Sequence, residues 1–146
     1  MTNETKRKFV EYEVLNYDHI ESLKEIIEAD DTIYDPEDIK KFIDGNNNIG
    51  FIVKLDGKII GLAYGYILLH LDSTLKMYVY SVDILKSHQN LGFGTNLMKF
   101  IVEYGKAQGY YECYLSVNKN NINARRAYVK SGLVCGDDSV EYSIIY

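Results

Sequence analysis

The stretch Gln89-Asn90-Leu91-Gly92-Phe93-Gly94-Thr95 lies between a strongly β-forming run, Met77 to Leu85, and an amphipathic helical run, Thr95 to Gln108. A glycine-spaced loop that leads a strand into a helix restricts the fold severely. Gly92 and Gly94 carry no Cβ, so the backbone can approach a phosphate closely. The unpaired N–H groups and the positive dipole end of the first helical turn can then bind it. The loop therefore predicts a phosphate-bearing cofactor, although two glycines one residue apart also make a tight strand-to-helix connection. No Gly-Lys-Ser/Thr ends the loop, and the third glycine of the dinucleotide fingerprint is missing, which disfavours nucleotide hydrolysis and hydride transfer.

The rest of the chain orders itself around that loop. Phe9 to Leu15 reads as a first strand and His19 to Ala29 as a helix, because Ile20, Leu23, Ile26 and Ile27 recur at helical spacing. A second helix is predicted from Pro36 to Ile43. Asp35 caps it, Pro36 suits its first turn, Ile39, Phe42 and Ile43 face inward, and Gly45 lies just beyond. Ile49 to Leu55 and Lys58 to Leu69 form strands about Asp56-Gly57, a hairpin signal because both residues tolerate positive φ. Lys76 to Leu85, rich in Val, Tyr and Ile, leads into the glycine loop. Phe93, Leu97, Phe100, Ile101 and Tyr104 make a helical stripe that Gly109 ends, and Tyr111 to Val117 gives the next strand. A helix from Ala124 to Lys130 and a final strand from Val140 to Tyr146 complete an α/β order. No internal repeat or low-complexity linker divides the chain, so a single domain over residues 1–146 is expected.

At 146 residues such a domain buries roughly two thirds of its unfolded surface without disulfides or metal clips. No apolar run is long enough to span a bilayer, and Met1 to Lys8 is polar, without the apolar centre of a secretory signal. These features predict a cytoplasmic protein with no membrane partner. Cys113 and Cys135 show no paired spacing for zinc or a redox centre and read as reduced thiols, so no metal site is expected. A formal net charge of -5 argues against generic nucleic-acid binding and suits a cationic small substrate better. The 14 tyrosines can line a cleft, but packing on sheet faces with wet hydroxyls accounts for most of them.

Gln89, Gly92 and Gly94 occupy the fixed positions of the pattern Gln/Arg-x-x-Gly-x-Gly/Ala, and the loop resembles the pyrophosphate-binding signature of the GNAT N-acetyltransferase superfamily. Downstream, Asn121 to Leu133 resembles the family's Asn-x-x-Ala-x-x-Leu-Tyr-x-x-x-Gly-Phe segment, with Asn121, Ala124, Tyr128 and Gly132 in register. Two motifs in the expected order, each in its strand-helix setting, are far more specific than either alone. The resemblance implies the GNAT acyl-CoA N-acyltransferase fold, an α/β architecture with a mixed central sheet of about six to seven strands flanked by about four helices. It also implies acetyl-CoA as cofactor, with coenzyme A as product.

The resemblance further implies a set of site residues. The strand before the loop, here Val82, Asp83 and Ile84, pairs its backbone with the pantetheine arm as with a short added strand. Gln89, Asn90, Leu91, Gly92, Phe93, Gly94 and Thr95 hold the pyrophosphate through backbone N–H groups. A strand amide near Ile84 is the candidate oxyanion donor. Tyr128 is the candidate acid for the departing thiolate, set against the alternative of a core-facing tyrosine. Asn121 meets the cofactor, caps the following helix, or does both. Arg125 and Arg126 are candidates for the adenosine phosphate, or solvated helix charges.

At the base this chain departs from the family, because Ser81 stands where many relatives carry Glu or Asp. Asp83 is the nearest carboxylate. It accepts a proton directly or through water, or else faces solvent or caps a bulge. Tyr78, Tyr80 and His88 are further candidates, and a water chain would serve an amine that arrives neutral.

Asp30 to Gly50 is the region in which the family's acceptor-binding elements vary. Here Asp30, Asp31, Asp35, Glu37 and Asp38 make it acidic, which attracts a cationic amine or is simply a solvated face. Gly61 to Gly94 bears a loose likeness to aminoglycoside 3-N-acetyltransferases. The expected activity is direct transfer of acetyl from acetyl-CoA to a primary amine of a small cationic molecule, aminoglycoside- or polyamine-like. The alternatives are a protein or peptide amine acetyltransferase and a non-catalytic acyl-CoA sensor. Tyr142, Ile144, Ile145 and Tyr146 offer apolar material for a homodimer, or equally for an interior strand.

Overall fold

The structure, a computed structural model, describes residues 8–136 and 140–146. Strand β1 (Val10–Val14) leads to Asn16, whose side chain accepts the Asp18 N–H at 2.9 Å. The buried His19 ring answers it: Nδ1 accepts the Asn16 N–H at 3.1 Å and Nε2 meets Glu13 Oε2 at 2.9 Å. These short-range side-chain bonds compete with the regular helical ladder and tighten the chain into 3-10 turns at Tyr17–His19 and Glu21–Leu23. The helix expected over His19 to Ala29 is thus reduced to α1 (Lys24–Glu28). Helix α2 (Pro36–Asp44) forms as its caps dictate, with Asp35 Oδ1 accepting the Glu37 N–H at 2.9 Å, Pro36 in the first turn and Gly45 at the end.

Strands β2 (Asn48–Leu55) and β3 (Lys58–Leu69) turn about Asp56 and Gly57, both at positive φ, as the hairpin signal requires. Strand β4 (Leu75–Ile84) follows, then helix α3 (Phe93–Gln108), strand β5 (Glu112–Leu115) and helix α4 (Ile122–Lys130). The strands lie in the order β1-β2-β3-β4-β5, antiparallel except for the β4–β5 pair. Helix α3 covers one face, burying Leu97, Met98 and Ile101, and Phe51 meets Phe100 and Tyr104 edge-on there. The segment carrying α1 and α2 covers the other face, where Phe42 packs edge-on against Tyr64 and Tyr66.

A single irregularity in β4 sets which way its last side chains point. The β3–β4 register shifts between Tyr64, opposite Ser81, and Gly65, opposite Val79, so Tyr80 is an extra residue in a bulge. Gly65 permits it, because a Cβ there would collide with the Tyr78 carbonyl oxygen. Beyond the bulge β4 also loses its other neighbour: pairing to β5 runs only from Lys76/Glu112 to Val79/Leu115. This is why the strand expected over Tyr111 to Val117 stops at Leu115.

The described residues form five strands rather than six or seven, with four α-helices around them. The final strand expected from Val140 to Tyr146 is absent, and Val140, Tyr142, Ile144, Ile145 and Tyr146 are all exposed. Alternating apolar residues make a segment competent to be a strand, but a strand exists only through a partner's ladder, and this segment pairs with none of the described residues.

Candidate active site

Strand β4, past its bulge, separates two cavities. Met77 and Val79 are buried on the α3 face, and strict alternation would place Ser81 and Asp83 there too. The extra residue reverses the phase. Val82, opposite Ala63, and Ile84 join the α3 side and line a cavity of about 430 Å³ with the glycine loop and α4. Ser81 and Asp83 turn to the α1/α2 side and line a cavity of about 850 Å³.

The first cavity is built from main chain. The Leu85 N–H donates to the Ile60 carbonyl at 2.8 Å, so the two-residue period of an antiparallel pair points the main-chain groups of Asp83 toward β3 as well. Those of Val82 and Ile84 point to the opposite edge, which no strand among the described residues covers. Such an edge suits an amide-bearing arm added as a further strand. Gln89 Nε2 donates to the Ile84 carbonyl at 3.0 Å, so this side chain ties the loop back to the strand end.

In the loop, Asn90 (φ 60°) and Gly92 (φ 90°) both adopt left-handed backbone conformations. Gly92 is the N-cap of α3 and offers no side chain to its first turn. The first helical bond runs from the Asn96 N–H to the Gly92 carbonyl at 3.0 Å, leaving the N–H groups of Phe93, Gly94 and Thr95 without an intrahelical acceptor. The helix begins at Phe93, two residues before the predicted Thr95, because glycine accommodates the turn at Gly92. Gln89, Asn90, Gly92, Gly94 and Thr95 line the cavity, whereas the Leu91 side chain is exposed and Phe93 packs against the core and the His88 ring.

Helix α4 supplies the opposite wall. Asn121 Oδ1 accepts the Ala124 N–H at 3.1 Å, so Asn121 caps the helix while lining the cavity. Of the two arginines, Arg126 lines the cavity and Arg125 donates instead to the Lys119 carbonyl at 3.0 Å. Asn123, Ala127 and Lys130 also line it and were missed in the sequence. Their signal was present: positions 123, 126, 127 and 130 form one helical stripe. Arg126 and Lys130 bring positive charge to the wall facing the loop.

Tyr128 lines this same cavity, half-buried against the core. Burial raises its phenol above the ordinary tyrosine range, and the nearby Asp83 charge raises it further. The Asp83 charge is thus felt at Tyr128 although Asp83 lines the other cavity. The Ser81 hydroxyl donates to Asp83 Oδ2 at 2.6 Å. Tyr64, in the same cavity, is also pushed up, first by burial and then by Tyr66, Tyr80 and Asp83. The other candidate bases lie elsewhere. His88 lines the first cavity beside Ser87, and Tyr78 and Tyr80 stack among the tyrosines of β3 and β5 outside the second. Of the acidic run, Asp30, Asp35 and Asp38 line the second cavity, and Asp31 and Glu37 do not.

The strand order, the free edge of β4 past its bulge and the glycine-capped α3 fit the acyl-CoA N-acyltransferase fold expected from the motifs, and comparison with known proteins agrees. Residues 16–133 match the model of the acetyltransferase (GNAT) family. The chain belongs to that family and is an acetyl-CoA-dependent N-acetyltransferase. Its fold is similar to that of an aminoglycoside acetyltransferase from an uncultured soil metagenomic sample, solved with trehalose (TM-score 0.84, 21% identity, 94% of this chain and 97% of that one). It is also similar to aminoglycoside N-acetyltransferase AAC(6')-Iy in complex with CoA (TM-score 0.77, 18% identity, covering 96% and 97%). A third similar fold is a ribosomal-protein-alanine N-acetyltransferase from Brucella melitensis biovar Abortus 2308 (TM-score 0.77, 13% identity, covering 94% and 100%). No helix among the described residues is long and apolar enough to cross a membrane.

Proposed function

We propose that the chain acetylates the primary amine of a small cationic molecule, aminoglycoside- or polyamine-like, by direct transfer. The observation that carries this reading is the bulged β4, which puts a phosphate-suited cavity lined by Tyr128 on one side and an acid-bearing cavity lined by Asp83 on the other. Bound acetyl-CoA supplies an activated acetyl thioester. The free edge of Val82 and Ile84 binds its arm, and the Ile84 N–H is the oxyanion donor. The backbone from Gln89 to Thr95, including Asn90, Leu91, Gly92, Phe93 and Gly94, holds the diphosphate at the positive end of α3. Arg126 and Lys130 face the remaining phosphate charge, and Asn121 completes that wall.

An aliphatic amine is protonated at neutral pH and must lose a proton to become a nucleophile. Asp83 takes that proton, with Oδ2 held by the Ser81 hydroxyl and Oδ1 left as the accepting oxygen. Tyr128 keeps its phenolic proton well past neutral pH, so it is available for the sulfur as the C–S bond breaks. The acidic mouth of the second cavity favours cations over neutral amines. The test is thiol release from acetyl-CoA in the presence of amino sugars, linear polyamines and peptides with free amino termini. Coenzyme A binding with no amine raising thiol release would replace this reading with the sensor.

A further inference from the structure

We propose that the acceptor is an aliphatic diamine, with an uninterrupted hydrocarbon stretch between its reacting amine and a second ammonium group, rather than a hydroxylated amino sugar. The inference rests on the acetyl-transfer reading above and narrows its substrate. Its basis is the wall of the 850 Å³ cavity. Leu23 and Ile26 are buried at its floor, and Leu62, Ile39 and Phe42 continue that surface. The ionisable carboxylates lie on separate elements: Asp83 on β4 at the reacting end, and Asp30, Asp35 and Asp38 on the exposed segment that carries α2.

A molecule reaching from Asp83 on β4 to the carboxylates of the α2 segment crosses a wall that is mostly hydrocarbon. Only Thr32, Tyr64, Tyr66 and Ser81 offer hydroxyls along this wall, so a polyhydroxylated ring turns part of its hydroxyls against leucine and isoleucine, where they give up their water without a partner. A methylene in the same place gains about fourfold in affinity. Asp35 is already committed to capping α2 and Asp38 to Lys41 at 3.1 Å, so Asp30 is the strongest anchor for the distal ammonium and Asp38 the second.

Calorimetry on the full chain saturated with coenzyme A tests this, using butane, hexane and octane α,ω-diamines, hexylamine and sisomicin. Affinity is expected to rise by about fourfold per methylene until the cavity is spanned. The hexane diamine should exceed hexylamine by about 1.4- to fivefold. The double variant Asp30→Asn/Asp38→Asn, altered only at exposed positions, should erase that second difference and keep the first. A flat chain-length series, or sisomicin binding more tightly than every diamine, overturns the proposal. Thiol release measured alongside separates it from its premise. Diamines that bind in the expected series without turnover uphold the cavity assignment and remove the transfer reading; preferential turnover of sisomicin does the reverse.

Discussion

Replacing Gly92 by alanine separates what the loop costs the fold from what it does for coenzyme A. Gly92 sits at φ 90°, and an added Cβ would meet nothing within 4 Å. The strain is therefore confined to the backbone, about 1–2 kcal/mol for a non-glycine residue in the left-handed region. For a chain of this size that lowers Tm by about 2–8 °C, well within the stability of an ordinary domain. If the loop relaxes toward negative φ, at least one first-turn N–H no longer points at the diphosphate. A hydrogen bond to a charged group contributes about 1.5–3 kcal/mol, so coenzyme A should bind about 10- to 150-fold more weakly. Pantetheine, which lacks the diphosphate, should bind the variant as it binds the parent. Gly94→Ala is the companion: its Cβ would lie 3.7 Å from Ile84 Cγ1, an ordinary contact, so Tm should hold while the methyl group crowds the cradle. Calorimetry with both ligands and thermal unfolding read the two effects separately. An unchanged Kd for coenzyme A in a Gly92→Ala protein whose Tm has not fallen, so that the loop has relaxed rather than strained, would refute the cradle, as would an equal loss for pantetheine.

Tyr128→Phe should lower kcat by about 100- to 10,000-fold with little change in the Kd for coenzyme A; wild-type turnover would remove Tyr128 from the chemistry. Gly65→Ala forces a Cβ into the Tyr78 carbonyl, so the bulge must open. Activity should fall by at least about 100-fold through displacement of Asp83, with Tm dropping in the same protein, and a stable, fully active variant would contradict the bulge's role. Burial, then Glu112, pushes the Cys113 thiol up to about 11 from 9.0. The unfolded chain therefore releases that proton first, and stability should fall as pH rises from 9 through about 11, on a slope that Cys113→Ala reduces by up to about one proton. Half-buried Tyr12, Tyr64, Tyr110 and Tyr128, each raised first by burial, act in the same direction at the upper end of that window, and stability rising with pH there would show the assignment to be wrong.

Where local chemistry settles local structure, the sequence was enough to read it. Asp35-Pro36 starts α2, Asp56-Gly57 turns the hairpin, and the glycine loop opens α3 because each depends on φ preferences and caps within a few residues. The break in the first helix was not legible, since it depends on Glu13 from a preceding strand reaching the His19 ring. Nor was the unpaired state of 140–146, since pairing is a property of two segments. In the site, helical spacing puts Arg126 on the stripe of 123, 127 and 130 and Arg125 off it, but only the wrap of α4 against the loop decides that this stripe faces the cavity while Arg125 turns toward Lys119.

The order of residues alone determined that a diphosphate could be held after the fourth strand, because absent side chains and unpaired amides are local properties of a strand-glycine-helix junction. It also determined that Ser81 and Asp83 share a face, since they lie two apart in a strand. Which face they share was decided by the folded sheet. Tyr80 is extruded where Gly65 lets two backbones close up, and that one extra residue turns the carboxylate from the α3 side of the sheet to the α1/α2 side. Such a reversal depends on register with a partner strand, which composition, spacing and motif do not encode.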